Sequence, residues 1–267
     1  MSSVLLQALD ARVRVTAPEP LHALFADLFA DLAVPDDRSD ARDIVWSDAD
    51  RELWHVSLSG GSAIDDAADG LAESIVSINR LAASSVAATH TVLHAGAFEV
   101  NGSAVAVTGA SGAGKSTLVA AALLRGHGYL ADEVCAVDPA NYVVRPYHRP
   151  LGLRAHGAAS IGVGIPANLL DAFGQVYPLR ASHNGRLAGA TKLRLLAFLH
   201  RRTGPVEITT VRPADALAQL TSLSLGTDGV ERSMFRRLDS LVRDIHIVTV
   251  GYADSFAAVD ALAEMVR

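Results

Sequence analysis

Gly109-Ala110-Ser111-Gly112-Ala113-Gly114-Lys115-Ser116-Thr117 is a complete G-x-x-x-x-G-K-[ST] string, and its flanks decide the fold. Ala104-Val105-Ala106-Val107 in front of it is a short apolar run that suits a buried strand. Ser116 through Leu124 behind it has helical character. A strand that turns through glycines into a helix lines a concavity with consecutive backbone N–H groups, and the helix adds its positive end beneath them. Gly109, Gly112 and Gly114 permit the backbone angles that such a nest requires. The ligand expected there is the phosphate tail of a nucleotide, cradled by the glycines together with Ser111, Ala113 and Thr117. Lys115 is placed to reach the β- and γ-phosphates, and the Ser116 hydroxyl to bind Mg²⁺. Lys115 and Lys192 are the only lysines in the chain, so a lysine in this loop stands out.

Outward from the loop, Asn101-Gly102 marks a hairpin, because both residues tolerate the positive φ of a type I′ turn. It joins a strand over Leu93–Val100 to one over Ser103–Thr108. A two-residue turn fixes the register: Val100 faces Ser103, Phe98 faces Val105, and His94 falls opposite Gly109, beside the mouth of the loop. The loop-bearing strand therefore has an antiparallel neighbour, and the sheet is expected to be mixed.

On the other side, Tyr129 to Val137 reads as a strand, and Gly128-Tyr129-Leu130-Ala131-Asp132-Glu133 resembles a Walker B segment. Asp132 is a candidate Mg²⁺ ligand and Glu133 a candidate proton acceptor. Successive side chains on a straight strand point to opposite faces, so both can serve one phosphate only if the strand bends or ends there. Arg145, His148, Arg149 and Arg154 follow; Arg149 and Arg154 are candidate contacts to phosphates or to an acidic part of a substrate. Asn184-Gly185-Arg186 reads as a plain connection.

The rest of the chain frames this centre. Half of its 267 residues are apolar, the formal charge is −6, and Cys135 is the single cysteine. No apolar run is long enough to span a bilayer, no polyanion-binding face is indicated, and an internal disulfide or a cysteine-built zinc site is excluded. The N-terminus has no signal-peptide pattern, and a cytoplasmic protein with no nucleic-acid or membrane partner fits this composition. Residues 1–88 read as a smaller α+β domain. Within it, strands are expected around Val4–Leu6 and Val13–Val15, a helix over His22–Leu32, two strands joined at Ser47-Asp48-Ala49-Asp50, and a helix over Ala67–Ala87. Leu58-Ser59-Gly60-Gly61 matches a transporter-ATPase signature, yet it precedes the loop instead of following it and reads as a turn. Beyond the Walker B segment, strands are expected over Lys192–Leu199, Val206–Val211 and Ile245–Val250. Helices are expected from Pro213, over Glu231–Arg243 and over Ser255–Val266.

His94, Asn101-Gly102, Ser111-Gly112-Ala113-Gly114-Lys115-Ser116, Arg125-Gly126-His127 and Ala131-Asp132-Glu133 occur in this order. Together they resemble the catalytic domain of HPr kinase/phosphorylase, within the group related to phosphoenolpyruvate carboxykinase, over about Leu93–Val137. The resemblance implies an α/β fold, a P-loop kinase core with a mixed sheet over residues 89–267, preceded by the smaller N-terminal domain. It implies phosphorylation of a serine with ATP and Mg²⁺, and a homo-oligomer. Onto the matching residues it carries loop contacts for Gly112, Gly114 and Lys115, metal binding for Ser116, and an acid–base role for Glu133 assisted by Asp132 and His94. Glu133 stands where the bifunctional enzymes have a second Asp, and the later glycine-rich signature linked with dephosphorylation has no match. The chain looks more like the divergent serine kinases of this group, some of which modify precursor peptides of natural products. The expected activity is a serine kinase acting on a protein or peptide. The alternatives are a kinase of free serine or another small alcohol, and a non-catalytic ATP-binding regulatory module. No guanine-reading Asn/Thr-Lys-x-Asp motif exists, since Thr191-Lys192 is followed by Leu193-Arg194.

Overall fold

The computed structural model describes residues 1–19, 21–35, 40–50, 53–58, 67–165, 176–223 and 232–267. In chain order the elements begin with β1 (Ser2–Ala8), β2 (Ala11–Ala17), α1 (Leu21–Leu28), β3 (Ala33–Val34), β4 (Arg42–Asp50), β5 (Leu53–Leu58) and α2 (Ala67–Val86). Next come β6 (Thr91–Leu93), β7 (Ala95–Val100), β8 (Ser103–Thr108), α3 (Lys115–Leu124), β9 (Gly128–Ala131), β10 (Cys135–Val137) and β11 (Val143–Arg145). Then follow β12 (Leu151–Arg154), α4 (Ala155–Ser160), β13 (Val176–Leu179), β14 (Arg186–Leu187), β15 (Thr191–Arg201) and β16 (Glu207–Thr210). The last are α5 (Pro213–Leu223), α6 (Arg232–Asp244), β17 (His246–Tyr252) and α7 (Ser255–Glu264). They group into two compact units, residues 1–85 with 149–180, and residues 86–148 with 181–267.

The first unit holds a five-stranded sheet in the order β3-β1-β2-β4-β5, in which only β2 and β4 run parallel. In β2 the alternation of Val13, Val15 and Ala17 inward with Arg12, Arg14 and Thr16 outward gives one buried face, as period-2 patterning demands. Phe25 and Phe29 of the α1 region stack at 5.5 Å, Phe25 meets Trp46 edge-on at 6.1 Å, and the Trp46 indole N–H donates to Ser74 Oγ at 3.2 Å. That bond satisfies the one polar atom of a fully buried indole. The expected turn at Ser47–Asp50 is strand instead. Cross-strand pairing carries β4 through Ser47↔His55 and Asp48↔Trp54 to Asp50, which pairs with Leu53. The Ser59-Gly60-Gly61 part of the transporter-like string lies outside the described residues. Residues 149–180, assigned by the sequence reading to the second domain, group with the first unit. Among the described residues β12 and β13 pair only with each other, and Arg180 at the end of the segment is held by Asp31 at 3.1 Å and Asp27 at 3.5 Å.

In the second unit the strands run β14-β9-β7-β8-β15-β17-β16, with β6, β10 and β11 attached through the first residues of β15. β8 lies between β7, antiparallel, and β15, parallel, so the sheet is mixed as the hairpin required. Asn101 and Gly102 take φ of 49° and 81°, and the register runs Val100↔Ser103, Phe98↔Val105 to Ala95↔Thr108. α3 is buried from Lys115 almost to its end, as expected of a helix apolar on every side. It approaches β7 closely: a Cβ on Gly96 would lie 2.6 Å from Val119 Cγ2. α3 stops in a Schellman turn. Gly126 at φ 84° donates to Leu123 O, and His127 N donates to Ala122 O.

Two expected strands are interrupted, and the interruptions meet. Leu93–Val100 breaks at His94 into β6 and β7, and Tyr129–Val137 breaks at residues 132–134 into β9 and β10. β9 pairs with β7 and β10 with β6, so Ala131 faces Ala97 and Cys135 faces Leu93 on either side of one common gap. The cause of the second break is Glu133, whose φ of 68° lies in the left-handed region. Val134 N donates to Asp132 O at 2.8 Å, closing a three-residue turn around it.

Candidate active site

The loop between β8 and α3 has the local structure that its glycines suggested. Gly109, Gly112 and Gly114 take φ of 148°, 83° and 96°. Ala110, Ser111 and Gly112 are exposed, Ala113 is half-buried, and Gly109 is buried at the base. Lys115 is 7% exposed and its ammonium donates to Gly109 O at 3.1 Å, so the lysine folds back across its own loop. Thr117 is buried in the first turn of α3. Gly114 has no space for a side chain: a Cβ would lie 2.5 Å from the Tyr252 hydroxyl and 2.9 Å from Arg201 Nη2.

The acidic turn sits against the start of this helix. Ser116 Oγ donates to Asp132 Oδ1 at 3.0 Å, and Asp132 is fully buried. Burying a carboxylate is costly unless donors surround it, and the loop hydroxyl is one of them. On the neighbouring residue, Glu133 Oε2 lies 2.7 Å from His94 Nε2, with both side chains partly exposed at 39% and 28%. The turn at Glu133 resolves the difficulty that adjacent strand residues face opposite ways. Because the chain leaves extended geometry there, Asp132 engages the loop serine while Glu133 engages His94. His94 is anchored in turn, since Thr108 Oγ1, the last residue before the loop, donates to His94 O at 2.9 Å. Gly96 contributes space, as its missing Cβ would stand 3.6 Å from Asp132 Oδ1.

The structure thus gathers Lys115, Ser116, Asp132, Glu133 and His94 around one end of α3. Among the described residues no group of three His, Cys, Asp or Glu side chains forms a metal cage. A Ser–Asp pair suits Mg²⁺, which usually takes one or two protein oxygens and completes its octahedron with waters and phosphate oxygens. The residues present therefore fit both groups that the sequence implies, a polyphosphate in the loop and Mg²⁺ at Ser116 and Asp132.

Arg149, buried, and Arg154, exposed at the head of α4, belong to the first unit. His148 of the second unit bonds Ala188 O at 2.9 Å and lies 5.8 Å from the Tyr129 ring. Arg186 pairs with Glu99, and Gly185 packs beside Leu123, so this segment serves as a connection. Two residues beside the loop, Arg201 and Tyr252, carried no sequence signal. Each is the last residue of a strand, and the sheet brings them from distant parts of the chain to the loop, where the Tyr252 hydroxyl donates to Ala113 O.

No protein-family model matches the chain, and no curated protein matches it. Among solved structures, the Hpr(Ser) kinase/phosphatase from Coxiella burnetii is similar over 66% of this chain and 99% of that chain, at 14% identity and a TM-score of 0.31. At that level the likeness assigns neither a family nor an activity.

Proposed function

We propose that this chain is an ATP- and Mg²⁺-dependent kinase that transfers the γ-phosphoryl group to a serine hydroxyl of a protein or peptide. One observation carries the reading: adjacent carboxylates of a single turn engage the loop serine on one side, at 3.0 Å, and a histidine on the other, at 2.7 Å.

In this reading the loop N–H groups and Lys115 hold the β- and γ-phosphates and stabilise the charge that spreads over the transferred group. Mg²⁺ at Ser116 and Asp132 supplies neutralisation of the phosphate oxygens. Glu133 orients the acceptor hydroxyl and takes its proton as the serine oxygen bonds to phosphorus and the bond to the ADP oxygen breaks. His94 fixes the Glu133 carboxylate through Nε2. The half-exposed position of Glu133 leaves an acceptor access from solvent, while the buried Asp132 is kept for the metal.

The test is incubation of the purified protein with ATP·Mg²⁺ and serine-containing peptides, including those encoded beside its gene, followed by mass spectrometry. Phosphoserine on a peptide supports the reading. ATP binding with no phosphorylation of any peptide overturns it.

A further inference from the structure

Resting on the nucleotide reading of the loop, we propose that Arg201 and Tyr252 form the nucleoside side of the site, where the purine of the bound nucleotide stacks on the outer face of the Arg201 guanidinium. The two residues close the parallel strands β15 and β17 and stand directly opposite each other in register. β15 is the parallel neighbour of β8, whose own end opens into the loop. In open α/β sheets ligands lie beyond the carboxyl ends of the strands, and this is that edge.

The pair is built rigidly. The Arg201 guanidinium carbon lies 4.4 Å from the centroid of the Tyr252 ring. Arg201 Nη1 donates to Ala253 O at 2.8 Å and Nη2 to Ser255 Oγ at 3.3 Å. Tyr252 is fully buried, and its hydroxyl donates to Ala113 O in the loop at 2.8 Å. The contact with the loop is close enough that Gly114 tolerates no Cβ, which would meet Arg201 Nη2 at 2.9 Å and Nε at 3.0 Å.

This arrangement selects the ligand chemistry. Arginine takes phosphate through its N–H edge, and two positions on that edge are committed to Ala253 and Ser255. One face of the plane is covered by the phenol ring. Arg201 is nonetheless an exposed residue, and a planar cation covered on one face presents the other. Guanidinium planes stack on nucleobases, and such stacking is worth about 1–3 kcal/mol per base. Beside a loop that holds the phosphates, the group within reach of that plane is the base.

Binding of ATP·Mg²⁺ and of inorganic tripolyphosphate·Mg²⁺ to the full chain tests the inference by calorimetry, comparing wild type with Arg201→Ala and Arg201→Lys. The expected result is that both variants weaken ATP about 5- to 150-fold, as the loss of one stacked base predicts, with tripolyphosphate affinity unchanged. Arg201→Lys retains the charge without the plane, and unchanged tripolyphosphate binding certifies that the variants are folded. Equal loss of both ligands would identify a phosphate contact and overturn the proposal, as would full ATP affinity in both variants. Wild-type protein that binds tripolyphosphate as tightly as ATP overturns the stacking alone. Wild-type protein that binds neither overturns the nucleotide reading as well.

Discussion

His94 Nε2 and Glu133 Oε2 stand 2.7 Å apart although 39 positions separate them, each at the point where its own strand is interrupted. The contact places an imidazole on the carboxylate assigned to proton transfer. Glu133→Gln is expected to lower kcat by about 10²- to 10⁴-fold, the usual weight of a general base, with ATP affinity unchanged. His94→Ala leaves the base in place but unanchored, so its loss in kcat is smaller. Steady-state kinetics with a phosphorylatable peptide check both. Equal activity in Glu133→Gln and wild type would remove Glu133 from the reaction.

The Ser116–Asp132 bond assigns a second pair. Ser116→Ala removes a metal ligand, so the Mg²⁺ concentration for half-maximal activity is expected to rise roughly tenfold or more. Lys115→Met is expected to cost about 10²- to 10³-fold in kcat, as loss of one transition-state charge contact does. Chelation of the metal should abolish transfer while leaving the melting temperature of the nucleotide-free protein unchanged. A Ser116→Ala enzyme with unaltered Mg²⁺ dependence would show that the serine binds no metal.

Gly96 is a packing test. Its added methyl would stand 2.6 Å from Val119 Cγ2, a group with no flexible stem to swing away. Gly96→Ala is expected to destabilise the second unit by about 1–3 kcal/mol, the range for overpacking, through displacement of α3 from β7. Chemical denaturation measures it. Because Asp132 Oδ1 lies next to the same space, catalytic loss should accompany the loss of stability.

Acidification should weaken the fold in two stages. Burial chiefly holds the His127 imidazole below its ordinary value of 6.5, so the unfolded chain takes up that proton first and stability falls as the pH drops from about 6.5. Burial would raise the Glu99 carboxyl, but Arg186 and the Gly102 N–H outweigh it and hold the group below 4.5. Its contribution is present above pH 4.5 and is lost as the pH falls through the lower, folded value. Melting temperatures across this range should show His127→Gln lacking the upper stage and Glu99→Gln lacking the lower. Unchanged profiles would contradict both assignments.

The hairpin was legible because Asn101-Gly102 specifies its own turn and, through it, the register of twelve residues. The Gly109–Thr117 loop was legible because its glycines encode backbone angles locally. What stayed hidden is non-local or non-periodic. The turn at Glu133 interrupts what reads as one strand from Tyr129 to Val137; the Asp132-Glu133 pair marks where a bend is needed, but no local residue type announces a left-handed glutamate. The strand through Ser47–Asp50 is held by partners across the sheet, against a polar composition that reads as a turn. Tyr252 meets Ala113 across 139 positions, a distance at which a single sequence carries no contact information.

A left-handed glutamate has a cost in folding of about 1–2 kcal/mol that glycine would avoid. Glu133→Gly should therefore give a protein that melts at a higher temperature and transfers no phosphoryl group. A chain shaped for durability alone would carry glycine at this corner, so thermostability screens without an activity readout will tend to erase this site.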